Sequence, residues 1–193
     1  MSQGHSVLVV PVPELDEYIR DRTAHYDASF LSSDPAFVHA HITVLGPWLP
    51  EPSHADLDTV GSIMASSNPF DTTLATVDTF PDGLIHLRAD PDGPLRALTA
   101  ALVEAFPQCP PYEGRFPDPV PHLTLDRCTD GITRESVEAD LRHRLPVHLH
   151  VDRVDLQWWA NHDCHVRGSW HLGSPESEPG APGPAVTPRS PVP

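Results

Sequence analysis

The stretch "HAHITVLGP", residues 39–47, decides how this chain is read. It sets two histidines, a threonine and a Gly-Pro pair among residues that favour a strand. A second stretch, "PHLTLDR" at 121–127, repeats its kernel of His-x-Thr followed by an aliphatic residue. In a strand, side chains two apart share a face. His41 and Thr43 therefore project together, as do His122 and Thr124. Ile42, Val44, Leu123 and Leu125 point the other way, into a core. A strand that is polar on one face and apolar on the other describes the wall of a cleft. If the two strands lie side by side, two imidazoles and two hydroxyls converge.

A single His-x-Thr in a strand means little in a chain with 13 histidines. Two of them, each following a helical segment and about 80 residues apart, suggest an internal duplication. The converged set suits phosphoester chemistry. One imidazole takes a proton from the attacking hydroxyl or water, and the other, protonated, gives one to the leaving oxygen. Histidine supplies both states near neutral pH. The threonine hydroxyls can donate to non-bridging phosphate oxygens, where charge builds up in the transition state. This scheme uses neither metal nor cofactor. Spacing does not say which histidine is acid and which is base.

The segments around the motifs read as α+β with antiparallel sheets. "SVLVVPV" (6–12) is a short buried strand, and Pro13 starts a helix through "PELDEYIRDRTAHYD". "FVHAHITVLG" (37–46) is a strand stopped by Gly46-Pro47. Ser53 caps a helix over 54–66 with Asp56 in its first turn. "FDTTLATVDTF" and "LIHLRA" form two strands around Pro81-Asp82-Gly83. Leu95, Leu98, Leu102 and Phe106 make one stripe of a helix over 93–106. A Pro-rich loop, 107–121, leads into "HLTLDR", and Thr133 caps a helix over 134–144. "VHLHVDRVDLQWW" and "CHVRGSWHLG" are the last two strands. Trp158, Trp159 and Trp170 within them read as core or sheet-edge residues.

Composition narrows the function. The chain has 193 residues, a net charge of -15 and 12 basic residues, every one an arginine. A surface this acidic repels long polyanions unless positive charge is gathered in one place, and no Arg cluster is visible. An extended nucleic-acid surface is therefore not expected, whereas a small anionic substrate in one pocket is. Three cysteines without CxxC spacing read as reduced thiols of a cytoplasmic protein. The N-terminus lacks a basic region and a cleavage site, and no apolar run is long enough to span a membrane. Residues 1–173 are expected to form one bilobal domain. The tail, 174–193, is rich in Pro, Gly and Ser and is expected to be disordered.

At this point the chain resembles the 2H phosphoesterase superfamily, in particular the 2'-5' RNA ligase family. The resemblance runs through "SVLVVPVPE", "HAHITVLGPW", "FDTTLATVDTFPDGLIHL", "LRALTAALVEAFP", "VPHLTLDR" and "VDRVDLQWW", in that order and spacing. It implies a bilobal α+β fold. Two lobes of antiparallel sheet, related by a pseudo-twofold axis, line a central cleft with helices outside. It implies that His41 and His122 are the acid–base pair and that Thr43 and Thr124 grip phosphate. The activity it implies is metal-independent cleavage of a 2',3'-cyclic phosphate, on an RNA end or a small nucleotide, with 2'-5' ligation as a related reaction. Gly46-Pro47-Trp48 stands where family members often carry Pro-Phe or Phe-Leu-Gly, which leaves the substrate open.

Further candidates are weaker. Arg127 closes the second motif, where the family often has an arginine, and is either a fork for a phosphate oxygen or a strand-end surface residue. Trp48 and Phe116 flank the motif strands and are candidates for stacking on a base, with packing as the alternative. His39 is expected on the same strand face as His41, to orient it, to touch substrate or to help bind a metal with it. His148 with His150, and His162 with Cys164 and His165, alternate without any zinc spacing, so no metal site is expected. The expected protein is a monomer that takes a small nucleotide or RNA end. The rival readings are a non-catalytic nucleotide-binding module on the same fold and a metal-dependent hydrolase built on the histidine clusters.

Overall fold

The computed structural model describes residues 4–173, and the expected tail, 174–193, lies outside them. Eight strands form one antiparallel sheet in the order β6-β3-β4-β5-β2-β1-β7-β8. They are β1 (His5–Pro11), β2 (His41–Trp48), β3 (Phe70–Thr79), β4 (Leu84–Asp90), β5 (His122–Arg127), β6 (Val147–Val151), β7 (Arg153–Trp159) and β8 (His165–His171). Four helices complete the fold: α1 (Asp16–Asp27), α2 (His54–Ser66), α3 (Gly93–Ala105) and α4 (Arg134–Leu141). The sheet divides into two halves of the same design. One runs β5-β4-β3-β6 and the other β2-β1-β7-β8, each with its motif strand innermost.

The halves meet where β2 pairs with β5, with Ile42 opposite Leu123. Both side chains are fully buried. Burying each is worth about 1.5–3 kcal/mol, so the seam is held from its apolar side. Antiparallel pairing at this point has a consequence for the polar side. One step either way along the seam puts His41 opposite Thr124 and Thr43 opposite His122.

Local chemistry explains most of the elements. Ser53 accepts from the Asp56 backbone N–H while the Asp56 carboxylate accepts from the Ser53 N–H, a reciprocal cap for α2. Thr133 and Ser136 do the same for α4. Leu95, Leu98 and Leu102 are the buried stripe of α3. All of β1 after His5 is buried, as its unbroken apolar run requires, since both its neighbours are strands.

Three boundaries differ from expectation. Strand β2 begins only at His41 and runs through Gly46-Pro47 to Trp48. The register with β1 steps from Leu8 opposite Leu45 to Ser6 opposite Trp48, so β2 carries an extra residue there. A bulge tolerates the missing N–H of Pro47. Gly46 is needed for close approach, because a Cβ on it would stand 2.8 Å from Val7 Cγ1. Second, "VHLHVDRVDLQWW" is two strands that break at Asp152. β6 pairs with β3 at one edge of the sheet, and β7 pairs with β1 in the other half. Apolar alternation continues on both sides of Asp152, so periodicity does not reveal the crossing. Third, α4 ends at Leu141. Among the described residues, no helix is long and apolar enough to cross a membrane.

Candidate active site

The two motifs line one cavity of about 590 Å³ that contains His41, Thr43, His122 and Thr124 together. Both histidines are tethered in the same way. His41 Nδ1 lies 2.7 Å from the His39 carbonyl oxygen, and His122 Nδ1 lies 2.7 Å from that of Val120. A carbonyl only accepts, so each Nδ1 carries the hydrogen and donates it. Each Nε2 is left as the nitrogen that exchanges protons.

Burial pushes the His41 imidazole from 6.5 down to about 4, against the partial support of its hydrogen bond to His39; His39 and His122 push it the same way. Burial likewise lowers His122, with the neighbouring His86 adding to the effect and the Val120 carbonyl opposing it. Both rings are therefore neutral at pH 7 in the free protein, and His41 is the more strongly depressed.

The two surroundings differ. Trp159 lies 5.6 Å from His41, ring centre to ring centre. Beside His122 stand Phe80, edge-on at 5.0 Å, and His86 at 5.3 Å. His86 is only 1% exposed and stacks on Phe80 at 3.7 Å. Tyr112 lies almost parallel to His122 at 6.3 Å. It comes from a short 3-10 turn, Pro111–Gly114, inside the Pro-rich loop. Burial pushes its phenol up, and a side-chain hydrogen bond with Thr43 opposes that rise.

Among the other expected residues, Arg127 is at the cavity wall, where its guanidinium donates to the Asp82 carbonyl at 2.8 Å. Phe116 is exposed and lines a second cavity, of about 460 Å³, which shares Leu84 and His122 with the first. Trp48 must be corrected. It is 4% exposed and packs edge-on against Phe106 at 5.2 Å, in the core and out of reach of a base. His39 precedes β2, so it shares no strand face with His41. Its ring is buried, accepts from the Ser32 N–H at 3.1 Å and sits 3.7 Å from Asp16. Its carbonyl, not its ring, orients His41.

Sequence reading missed several cleft residues. Trp159 lines the cavity beside His41, although it reads as core or edge from its strand. His86 lies opposite Thr124 in the β4–β5 register, a pairing that only the fold reveals. From α1, Arg22 and Tyr26 reach across to Asp126 on β5. The Arg22 ion pair measures 2.6 Å, and the Tyr26 hydroxyl donates to the other carboxylate oxygen. Among the described residues no group of three or more His, Cys, Asp and Glu side chains converges as metal ligands do. His150 pairs instead with Asp71 at 2.7 Å, on the exposed edge of the sheet.

The sequence profile of the 2'-5' RNA ligase superfamily matches residues 11–163. No curated protein matches the sequence. Among solved structures, the fold is similar to TT0787 of Thermus thermophilus, with 19% identity, a TM-score of 0.54, and coverage of 88% of this chain and 98% of that one. It is also similar to E. coli LigT complexed with 3'-AMP, at 17% identity and a TM-score of 0.51, covering 89% of this chain and 99% of LigT. A structure described as a phosphoesterase gives 17% and 0.53 with the same coverage.

Proposed function

The chain belongs to the 2'-5' RNA ligase superfamily, and from that premise we propose a metal-independent phosphodiesterase that opens a 2',3'-cyclic phosphate on a small nucleotide or RNA end. The observation that carries this reading is the matched tethering of His41 and His122 in one cavity. Small nucleotides are favoured because LigT, of similar fold, has been crystallised with 3'-AMP and with NADP+. The free thiols of Cys109, Cys128 and Cys164 suit a reducing cytoplasm.

The mechanism follows from the difference between the two rings. His41, held neutral most firmly, is the base: its Nε2 takes the proton of the attacking water as the new P–O bond forms. His122 is the acid. A bound phosphate anion favours its charged form, and it gives that proton to the ring oxygen as the old P–O bond breaks. Thr43 and Thr124 donate to the non-bridging oxygens, and Arg127 releases Asp82 to meet the same charge. For ligation the same steps run backwards, and the two rings exchange roles.

The test is a panel of 2',3'-cyclic nucleotides and short cyclic-phosphate RNAs, run with EDTA, with the product isomer recorded. Activity persists in EDTA, and His41→Ala and His122→Ala each lower kcat by about 10²–10⁴-fold. If both variants turn over at near wild-type rate, the mechanism is wrong. If cyclic nucleotides bind tightly but are never opened, the chain is a binding module.

A further inference from the structure

Tyr112 belongs to neither motif strand, yet it meets both motifs. Its ring lies nearly parallel to His122, at 17° and 6.3 Å between centres. Its hydroxyl shares a side-chain hydrogen bond with Thr43. The seam explains how one ring reaches both, because antiparallel pairing of Ile42 with Leu123 brings Thr43 level with His122. The other half lacks this device. There the chain before His41 brings Phe30 into the cavity, a ring without a hydroxyl.

The loop that carries Tyr112 is bent into an uncommon shape. Tyr112, Glu113 and Gly114 hold φ of 51°, 58° and 74°, three left-handed residues in succession. Only glycine takes that conformation freely, so Tyr112 and Glu113 hold it against their own preference. Such backbone persists where the surroundings over-determine it, and it clusters at functional sites. Here two ties from α3 supply the constraint. Arg96 donates to the Asp118 carboxylate at 2.6 Å and to the Pro119 carbonyl at 3.4 Å, gripping the loop. One turn on, the Thr99 hydroxyl donates at 2.9 Å to the carbonyl of Val44, next to Thr43. The same helix therefore fixes the loop and strand β2 relative to each other.

A hydroxyl donates one hydrogen and can accept as well. When Thr43 turns its hydrogen to a phosphate oxygen, its own oxygen is left as an acceptor for the phenol. Burial raises the phenol above its ordinary value, so it stays protonated, and a donor, wherever the histidines work. Hydrogen bonds arranged in such a chain polarise one another. We infer that Tyr112 is a positioning residue: its hydroxyl donates to Thr43 Oγ1 and so directs the Thr43 hydrogen at a non-bridging phosphate oxygen. Tyr112 acts through Thr43, not on the phosphate itself. This rests on the phosphoester reading above and adds a residue to it.

The experiment follows opening of 2',3'-cyclic AMP by the full chain, with thermal unfolding to show each variant folded. Tyr112→Phe keeps the ring and removes the hydroxyl alone. It lowers kcat/KM about three- to tenfold, the worth of one hydrogen bond. In a Thr43→Ala background the same change has no further effect, because the bond is already gone. In a Thr43→Ser background, which keeps the hydroxyl, the loss returns. Inorganic phosphate, titrated by calorimetry, reads the same grip without turnover and shows the same dependence on Thr43. Turnover that ignores Tyr112→Phe, or a loss equally large in Thr43→Ala, overturns the inference and leaves the phosphodiesterase reading standing. If no cyclic nucleotide is opened yet phosphate affinity keeps the Thr43-dependent response, the phosphodiesterase reading falls and the inference stands. If nothing is turned over and phosphate does not bind, both fall.

Discussion

The protonation of His41 can be read through stability, without any substrate. Its folded value of about 4 lies below the ordinary 6.5, because burial penalises the imidazolium. Between those two values the unfolded chain binds the extra proton and the folded protein does not. The stability this residue contributes is thus fully present above pH 6.5 and is lost as pH falls through 6.5 toward 4. With 1.36 kcal/mol per pH unit, the loss due to His41 between pH 7 and pH 4.5 is about 2.5 kcal/mol. The perturbation is His41→Asn, which keeps a donor for the His39 carbonyl but cannot titrate. Urea unfolding of wild type and variant across that range gives the difference directly. Groups common to both proteins, including the lowered His39, His86 and His122, largely cancel. The wild-type curve should fall more steeply than the variant's by about that amount. Parallel curves would mean that His41 takes up its proton in the folded state at an ordinary pH. That would refute its assignment as the neutral base.

Other expectations follow from the same geometry. The kcat/KM profile should be bell-shaped with both limbs on the acid side. It rises near pH 4 as His41 loses its proton and falls again before pH 6.5 as His122 loses its own; an optimum above pH 8 would contradict the assigned roles. Trp48→Ala should destabilise by about 3–5 kcal/mol yet leave turnover per folded molecule unchanged, as measured by unfolding and by activity on the folded fraction. Leu123→Ala, at the seam, should cost about 2–5 kcal/mol in denaturant unfolding. Ser53→Ala should remove the α2 cap for about 0.5–2 kcal/mol, with no effect on activity.

Much of the site was legible because it is local. The i, i+2 rule put His41 beside Thr43 and His122 beside Thr124, and both pairs line one cavity. The caps at Ser53 and Thr133 were readable for the same reason, since a capping bond spans only three residues. What escaped was long-range. Trp48 read as a residue just past its motif strand that could stack on a base or pack, and Trp159 as a core or sheet-edge residue, yet the first lies against Phe106 in the core and the second against His41 in the cleft. Alternation gives the two faces of a strand but does not say which element covers each.

The amino-acid order by itself determined that two polar faces exist, that each carries one imidazole and one hydroxyl, and which helices flank them. These depend on covalent spacing and on bonds a few residues long. Only the tertiary structure decided how the faces meet. The pairing of Ile42 with Leu123 sets each histidine opposite the other motif's threonine. The crossing at Asp152 sends β7 to the half that holds His41 and brings Trp159 with it. Neither contact has a local signal, because strand pairing joins residues far apart in the chain and its register is fixed by the whole core.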